Sequence, residues 1–350
     1  MISYRCWDFG DLIVKSRFAK ALEVGGIRYP ICRNLNFAAR VEAEKLFDRI
    51  ALESGWWAQR LDINDMLLDA EGLFVSAHGV RTNHYSSYHF TIWADSPQRA
   101  EATKAAILAC VGKDRICEPM FSIDWHFLTS NRELESAEIE ELADDVLLDE
   151  AYPMLKGGVA AFIGRYIEAK ETVLVLQGPP GTGKTRLIRA ILGELSRRKA
   201  GSARALYTSD LKALESDEIF VKFITGWDDV FVVEDADHLL KPRADGNEHL
   251  HRFLTIADGV VRAQGRKIIF STNLPNVGDL DEALIRPGRC FARLGVRNLS
   301  REETQGLLGR LCAGRAMAAD GAMAMLFQGS KSKYSLAEIY KAVDEAKAGG

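Results

Sequence analysis

The segment TVLVLQGPPGTGKTRLIRAILGELSRRK, residues 172–199, joins a short apolar run, a glycine-rich loop and a long stretch without proline. The apolar run is typical of a buried strand, and the stretch after the loop has helical spacing. Between them, Gly178, Gly183, Lys184 and Thr185 match the pattern G-x-x-x-x-G-K-[ST]. A glycine-rich turn that matches by chance is the alternative, and the strand–loop–helix context argues against it. The segment therefore predicts a phosphate-binding loop in an α/β sheet.

The residue types of this loop suit a nucleoside triphosphate. Glycines let the backbone wrap around a phosphate chain with its N–H groups pointing inward, and the following helix adds the positive end of its dipole. Lys184 can reach the β- and γ-phosphates, and the Thr185 hydroxyl can ligate Mg²⁺. We expect ATP or ADP, together with Mg²⁺, to contact Gly178, Pro179, Pro180, Gly181, Thr182, Gly183, Lys184 and Thr185.

The chain around and after the loop alternates strand-like runs with segments long enough for helices. The further strand-like runs lie at 203–209, 228–235, 266–273 and 291–296. This alternation predicts a parallel sheet with helices on both faces over residues 149–297. Residues 298–350 are helix-rich and predict a small α-helical lid after the sheet.

Residues 1–148 predict a separate N-terminal α/β domain, which we expect to recognise a partner. A helix is expected from Asn36, whose side chain can cap it, because apolar residues follow at helical spacing. The alternating run at 84–93 predicts a half-buried strand. A serine cap, a first-turn proline and a terminal glycine predict a helix over 96–112. A further strand candidate lies at 120–128.

The end of this domain is strongly acidic. Residues 133–150 contain nine Asp or Glu and no Lys or Arg. We expect a solvated acidic linker helix at 131–148. The alternative is a docking face for a basic partner.

The composition of the 350 residues limits the classes of protein to consider. A net charge of −4 gives no overall attraction to nucleic acid or acidic lipid. No stretch approaches the roughly 20 apolar residues of a membrane helix. The six cysteines form no C-x-x-C pair and have no zinc spacing, so we expect reduced thiols. We therefore expect a cytoplasmic protein without a membrane segment, and nucleic acid is not an expected partner.

Three histidines of the N-terminal domain do not have the spacing of a metal site. His84 and His89 are five residues apart in a strand-like segment, so their side chains point to opposite faces. With His78 as the third histidine, a metal site there is not expected.

A second motif follows another apolar run, where Val230–Val233 leads into Glu234, Asp235 and Asp237. Acids at the end of a buried strand, beside a phosphate loop, can hold magnesium and orient an attacking water. Acids also favour the N-terminus of a helix, which is the structural alternative. The phosphate loop upstream favours the catalytic interpretation.

With these motifs in this order, residues 149–345 resemble the AAA proteins of the AAA+ superfamily. Their acidic strand usually ends Asp-Glu-x-Asp, whereas this chain has Glu-Asp-Ala-Asp. The same inversion is known in the mitochondrial AAA chaperone that translocates the folded Rieske iron–sulfur protein, and residues 249–273 are similar to that group. The resemblance implies that Glu234 serves the metal and Asp235 the water, although Asp235 is shorter by one methylene, roughly 1.5 Å of reach.

The resemblance also implies roles for three residues further along. Asn273 matches the polar residue called sensor 1, which helps to position the water. Arg286 and Arg289, within LDEALIRPGRC at 280–290, match two arginine fingers. Such a finger enters a neighbour's site and stabilises charge on the γ-phosphoryl group. In isolation the two arginines would be surface residues around a proline turn. The resemblance implies a homo-oligomeric ring, with a hexamer expected.

The loop at 208–218 departs from the peptide-threading members of the family, because it contains Leu214 and no aromatic residue. We therefore expect a chaperone-like ATPase ring that remodels or moves a protein partner rather than threading a peptide. The alternative is an ATP-dependent assembly switch or scaffold with slow turnover, motivated by the inverted acids. A nucleic-acid-loading protein is a third hypothesis, disfavoured by the acidic balance of the chain.

Overall fold

The computed structural model describes residues 31–81, 85–117, 120–131, 133–143, 147–199, 203–241, 250–258, 265–276, 280–313, 316–328 and 330–348, with residues 12, 16 and 19. The chain divides into two compact units, Met1–Met120 and Phe121–Gly350. Within the described ranges, no helix combines the length and the apolar composition needed to cross a membrane.

In the described residues, the first unit is an antiparallel sheet packed against two helices. Its strands are β1 (Ile31–Ala39), β2 (Trp57–Arg60), β3 (Asp65–Ala70), β4 (Leu73–Arg81), β5 (Ser86–Ala94) and β6 (Arg115–Ile116), in the order β2-β3-β4-β5-β1-β6. The helices are α1 (Ala43–Glu53) and α2 (Pro97–Val111). Alternate strand residues such as Val75 and Phe90 pack with Phe47 and Ile107 of the helices into one core.

Two of the predicted elements in this unit are confirmed, and a third, the helix after Asn36, is present but its predicted start is wrong. The strand at 84–93 and the helix at 96–112 correspond to β5 and α2. Asn36, however, lies within β1 opposite His89, and α1 begins only at Ala43. Pairing of residues 36–39 with β5 satisfies backbone groups that the predicted helix would have satisfied internally. Long-range pairing therefore overrode the helical pattern at 36–39, and the helix follows from Ala43.

The histidines of this unit are arranged across the sheet. His84 lies outside the described residues. His78 and His89 are opposite each other in β4 and β5, and their Nδ1 atoms lie 2.8 Å from Asp65 Oδ1 and 2.7 Å from Asn36 Oδ1, respectively. In the described part of the chain, no group of three or more His, Cys, Asp or Glu side chains is arranged to hold a metal ion.

The second unit is built on a mostly parallel sheet with helices on both faces, which confirms the predicted fold class. Its strands are β7 (Met120–Leu128), β8 (Leu134–Leu142), β9 (Val173–Gln177), β10 (Ala203–Thr208), β11 (Val230–Val233), β12 (Lys267–Thr272) and β13 (Cys290–Gly295), in the order β13-β9-β12-β11-β10-β7-β8. The helices between them are α3 (Val159–Glu168), α4 (Lys184–Arg198), α5 (Asp217–Thr225) and α6 (Leu250–Asp258). All neighbouring pairs from β13 to β7 run parallel.

The C-terminal part of this unit is helical, as predicted. It contains α7 (Arg301–Leu311), α8 (Ala316–Leu326) and α9 (Leu336–Ala348), with β14 (Leu299–Ser300) and β15 (Lys333–Tyr334) paired antiparallel. Its buried residues belong to the same core as one face of the sheet. The proposed boundary at 297/298 stays a prediction, because this core is continuous across it.

Burial on both faces explains the unbroken apolar run of β9. Leu174 and Leu176 belong to the core that includes the C-terminal helices, whereas Val173 and Val175 belong to the core on the opposite face. A strand with two covered faces has no position for a polar side chain until it ends. The polar side chain of β9, Gln177, therefore lies at its carboxyl end.

The predicted acidic linker helix at 131–148 is wrong. Leu134–Leu142 forms β8, the edge strand of the parallel sheet, and β7 pairs with β10. Both strands belong to the second unit, so the division falls at Met120/Phe121 rather than at 148. An edge strand leaves many of its side chains in water, and charges there discourage pairing with other chains. The acidic composition is therefore compatible with a strand as well as with a helix.

Candidate active site

The phosphate loop, residues 178–185, connects the end of β9 to the start of α4 and depends on two glycines. Gly178 has φ 157°, and a Cβ there would lie 1.8 Å from the Val296 carbonyl oxygen. Gly183 has φ 93°, and a Cβ there would lie 2.6 Å from the Tyr152 hydroxyl oxygen. A larger residue would therefore displace the backbone at Gly178, and at Gly183 it would displace the Tyr152 side chain and strain a left-handed backbone.

The Lys184 side chain lies within this loop. Its Nζ donates to the carbonyl oxygens of Gly178 (2.7 Å) and Pro179 (3.1 Å) and to Asn273 Oδ1 (2.9 Å). Burial lowers the pKa of Lys184, while the carboxylates of Asp235, Asp237 and Glu234 act in the opposite direction. The site thus holds a buried ammonium group beside several acids, a charge pattern that suits phosphates bound together with a metal.

Thr185 and Glu234 form the oxygen-rich side of the site. The Thr185 hydroxyl donates to Glu234 Oε1 at 2.5 Å, and the Tyr207 hydroxyl donates to Glu234 Oε2 at 2.9 Å. Hydroxyl and carboxylate oxygens are the ligands that Mg²⁺ prefers. Thr185 and Glu234 therefore fit the metal predicted from the sequence, and they are the residues that would hold it.

Asp235 and Asn273 lie together beside Lys184. The Asn273 Nδ2 group donates to Asp235 Oδ1 at 3.1 Å, while its Oδ1 accepts from Lys184. Asp235 is exposed and has φ 49°, a left-handed conformation that is uncommon for residues other than glycine. The Asn273 amide group thus connects the lysine that would face the phosphates to the acid that would face the water.

Asp237 has a different role from its two neighbours. Its Oδ1 accepts hydrogen bonds from the Thr272 hydroxyl (2.6 Å) and from the Asn273 backbone N–H (2.7 Å). These bonds join the loop after β11 to the end of β12. Asp237 therefore positions the backbone of Asn273.

The remaining loop residues differ in exposure. Thr182 is buried and its hydroxyl donates to the Pro179 carbonyl at 2.8 Å, so this side chain stabilises the loop itself. Pro179, Pro180 and Gly181 are exposed. The Gly181 carbonyl accepts a hydrogen bond from the backbone N–H of Ala337 in α9 at 3.0 Å. The phosphate loop thus contacts the C-terminal helical part directly.

Arg286 and Arg289 do not join this cluster within one chain. The Arg289 carbonyl accepts from the backbone N–H groups of Thr172 and Val173, where β9 begins. At about 3.3 Å per residue, β9 separates that point from Gly178 by ~16 Å, beyond the reach of an arginine side chain. The Arg289 guanidinium donates to the Ala283 carbonyl, and Arg286 is exposed. Both arginines therefore lie toward the opposite end of the sheet from the phosphate loop.

The structure adds site residues that the motifs did not indicate. Tyr207 contacts Glu234 as described above. Gln177, the last residue of β9, donates through Nε2 to the carbonyls of Leu274 (2.8 Å) and Asn276 (2.9 Å), and its Oε1 accepts from Arg293. A buried glutamine at the end of an apolar strand is a signal that the sequence contained, since a buried amide requires polar partners. Tyr207 gave a weaker signal, as a single aromatic hydroxyl near the end of a strand.

The comparisons with known proteins agree with this geometry. Residues 174–298 match the family model described as ATPase family associated with various cellular activities (AAA). An ATP-dependent zinc metalloprotease, the YME1 homolog of Caenorhabditis elegans, is 31% identical over 168 residues, 45% of this chain and 21% of that protein. An AAA-ATPase of Arabidopsis thaliana is 35% identical over 143 residues, 37% of this chain and 30% of that protein.

A longer match is the ATP-dependent zinc metalloprotease FtsH 2 of Symbiobacterium thermophilum, 22% identical over 302 residues, 82% of this chain and 46% of that protein. The chain thus spans less than half of the length of each of these relatives. Its 350 residues contain no H-E-x-x-H sequence, the zinc-binding helix motif of metalloproteases. Residues 174–298 are similar to the AAA domains of ATPases such as FtsH and YME1, and this homology supports ATP hydrolysis.

Proposed function

We propose that this chain is the subunit of a ring-forming ATPase that uses Mg-ATP to remodel or move a protein partner. The observation that carries the proposal is the separation of two sets of residues. Lys184, Thr185 and Glu234 converge at the carboxyl end of the sheet, whereas Arg289 is attached at the start of β9. Arg286 and Arg289 could then act on a nucleotide only in a neighbouring subunit, as arginine fingers supplied in trans do.

The chemistry follows from the contacts in the site. Bound Mg²⁺ supplies charge neutralisation for the phosphates. Lys184 would exchange its loop carbonyls for phosphate oxygens, and Asn273 would keep Asp235 oriented through the bond between Nδ2 and Oδ1. Asp235 would orient the attacking water. Its exposure supports this role, because a water must reach the carboxylate.

A protein partner is the proposed substrate, and the first unit is the proposed place where it binds. Two of the relatives are named as proteases, and such enzymes act on proteins. The first unit has its own core and lies outside the residues that match the AAA family model, so it is available for recognition. A chaperone role like that of the Rieske-protein-translocating group, a hexameric ring and a cytoplasmic location are parts of the proposal.

Mixing two inactive variants tests the shared site. Lys184→Ala removes the phosphate contact and leaves the arginines, while Arg289→Ala removes an arginine and leaves the phosphate loop. We expect each variant alone to lose at least about 100-fold in ATP turnover. Mixed rings contain junctions where an intact loop meets an intact Arg289, so turnover should recover in part.

The measurement is steady-state ATPase activity of each variant and of their mixtures, with the molecular mass determined in ATP. Lys184→Ala mixed with itself at the same total concentration is the control. Full activity of both variants, or an active monomer, would contradict the proposal. If mixed rings form but ATP turnover does not recover, only the trans role of Arg289 is contradicted, and the rest of the proposal stands.

A second candidate function is an assembly switch that binds ATP and turns it over slowly. The observation that favours it is the acid order, which leaves the shorter carboxylate of Asp235 to face the water. In a switch, ATP would drive assembly, and Asp235→Asn would change turnover little. Robust basal hydrolysis that is abolished by Asp235→Asn would reject the switch.

A further inference from the structure

The Glu234 carboxylate is held by two hydroxyl groups, one on each oxygen. Thr185 Oγ1 donates to Oε1 at 2.5 Å, and Tyr207 donates to Oε2 at 2.9 Å from the adjacent strand β10. Thr185 is itself one of the groups that would ligate the metal. The Tyr207 hydroxyl, in contrast, bonds the other oxygen of the carboxylate, Oε2.

A glutamate at this position needs such a partner more than an aspartate would. Its carboxylate is one methylene further from the backbone, so it has an additional rotatable bond to immobilise. Residues that hydrogen-bond to a ligating carboxylate orient it and affect how well it binds metal. Because Tyr207 holds Oε2, the Glu234 carboxylate cannot rotate freely, and Oε1 stays bonded to Thr185.

The Tyr207 ring is itself held in place. Trp125 of β7 is the register partner of Tyr207, and the two ring centroids are 6.3 Å apart with an angle of 76° between the planes. This edge contact is one of the favourable geometries for aromatic pairs. Strand β7 therefore supports the Tyr207 ring, whose hydroxyl reaches Glu234.

We propose that Tyr207 is a positioning residue that orients Glu234 for Mg²⁺ in the nucleotide complex. The inference rests on the proposed function, since it requires Mg-ATP to bind at this site. Tyr207 contacts neither nucleotide nor metal in this proposal, and it acts only through the carboxylate. Its removal should therefore affect metal dependence and leave metal-free nucleotide binding intact.

Tyr207→Phe removes the hydroxyl and keeps the ring against Trp125. We expect the Mg²⁺ concentration that gives half-maximal enhancement of ATP-analogue binding to rise about tenfold. Binding of the same analogue in EDTA should change by less than about twofold. The measurement is a Mg²⁺ titration of a fluorescent, non-hydrolysable ATP analogue on the full chain. Tyr88→Phe, which removes a hydroxyl bonded to the Val41 carbonyl in the first unit, is the matched control and should match the wild type.

Glu234→Asp provides the second arm, because it keeps a carboxylate but withdraws it by about 1.5 Å from Tyr207. In that background, Tyr207→Phe should change the Mg²⁺ requirement by less than about twofold. An unchanged Mg²⁺ requirement in the single variant, or an equal loss of binding in EDTA, would overturn the role of Tyr207. A wild-type chain that binds no ATP analogue at all would instead overturn the proposed function.

Discussion

A buried lysine lies toward each end of the parallel sheet, and the two lysines have different surroundings. Lys184 is 7% exposed and lies within the phosphate loop, near three carboxylates. Lys267, at the start of β12, is 2% exposed, and its Nζ donates to the carbonyls of Ala169 (2.7 Å) and Glu171 (3.1 Å). Burial lowers the pKa of Lys267 to about 8. Burial alone therefore does not identify a functional lysine.

The surroundings decide which lysine is available to a ligand. Lys184 can exchange the carbonyls of a surface loop for phosphate oxygens. Lys267 joins the end of α3 to β12, with the Tyr166 ring centroid 5.0 Å from its ammonium nitrogen. We interpret Lys184 as a binding residue and Lys267 as a structural one.

The largest expected effect is on the affinity for ATP, which should depend on Lys184 and not on Lys267. Lys184→Ala should weaken ATP binding by about 100-fold, because charge-assisted hydrogen bonds to phosphate are lost. Lys267→Met, which removes an equal charge at the other end of the sheet, should leave the affinity unchanged. Calorimetric titration with ATP and Mg²⁺ provides the measurement. Comparable losses in both variants would break the distinction.

The next effect is on protein stability, and it tests whether the carboxyl end of the sheet accepts an added methyl group. Gly178→Ala would place a Cβ 1.8 Å from the Val296 carbonyl and should destabilise the protein by about 3 kcal/mol, because the backbone must shift. Gly295→Ala, at the end of the adjacent strand β13, meets no atom within 4 Å and is the matched control. Urea unfolding of both variants measures the difference. Equal stability of the two variants would contradict the close approach at Gly178.

The smallest effect concerns how stability depends on pH at the amino end of the sheet. The folded-state pKa of Lys267, about 8, lies below its ordinary value of 10.5, so the unfolded chain binds more protons between these values. Stability should therefore rise with pH across this window, by up to about 1.4 kcal/mol per pH unit, and be lost again as the pH falls toward 8.

Lys267→Met should lack this contribution, because methionine does not titrate. The free energy of unfolding, measured in urea at intervals from pH 7.5 to 10, gives the difference between wild type and variant at each pH. That difference should grow in favour of the wild type as the pH rises. If the free energies of unfolding of the two proteins instead change in parallel with pH, the lysine is charged in both the folded and the unfolded state.

Much of the second unit could be predicted from its sequence. Covered strands such as β9 and β12 read as unbroken apolar runs, and a glycine pattern marks the phosphate loop. In these segments the local preference and the tertiary environment agree, which makes a sequence pattern informative. The positions of Lys184, Thr185 and Glu234 near one another follow from the same logic, because parallel strands end at one edge.

The predictions failed where distant pairing decided the outcome. The stretch after Asn36 has helical spacing, yet residues 36–39 pair with β5 and the helix begins only at Ala43. Residues 134–142 have the composition of a solvated helix, yet they form the edge of the sheet. The partner of β1 is β5, and β8 joins the sheet through β7, which in turn pairs with the distant strand β10; no local window contains these long-range pairings.

The sequence alone determined the chemistry available at the nucleotide site, because the phosphate loop and the acidic strand end are local patterns whose residue types have few other uses. Only the tertiary structure decided which hydroxyls hold Glu234 and that Asp237 positions Asn273. It also decided that Arg289 lies at the other end of β9, ~16 Å from the phosphate loop. These relations join residues up to about a hundred positions apart along the chain. Their geometry follows from strand order and register, which are properties of the assembled sheet.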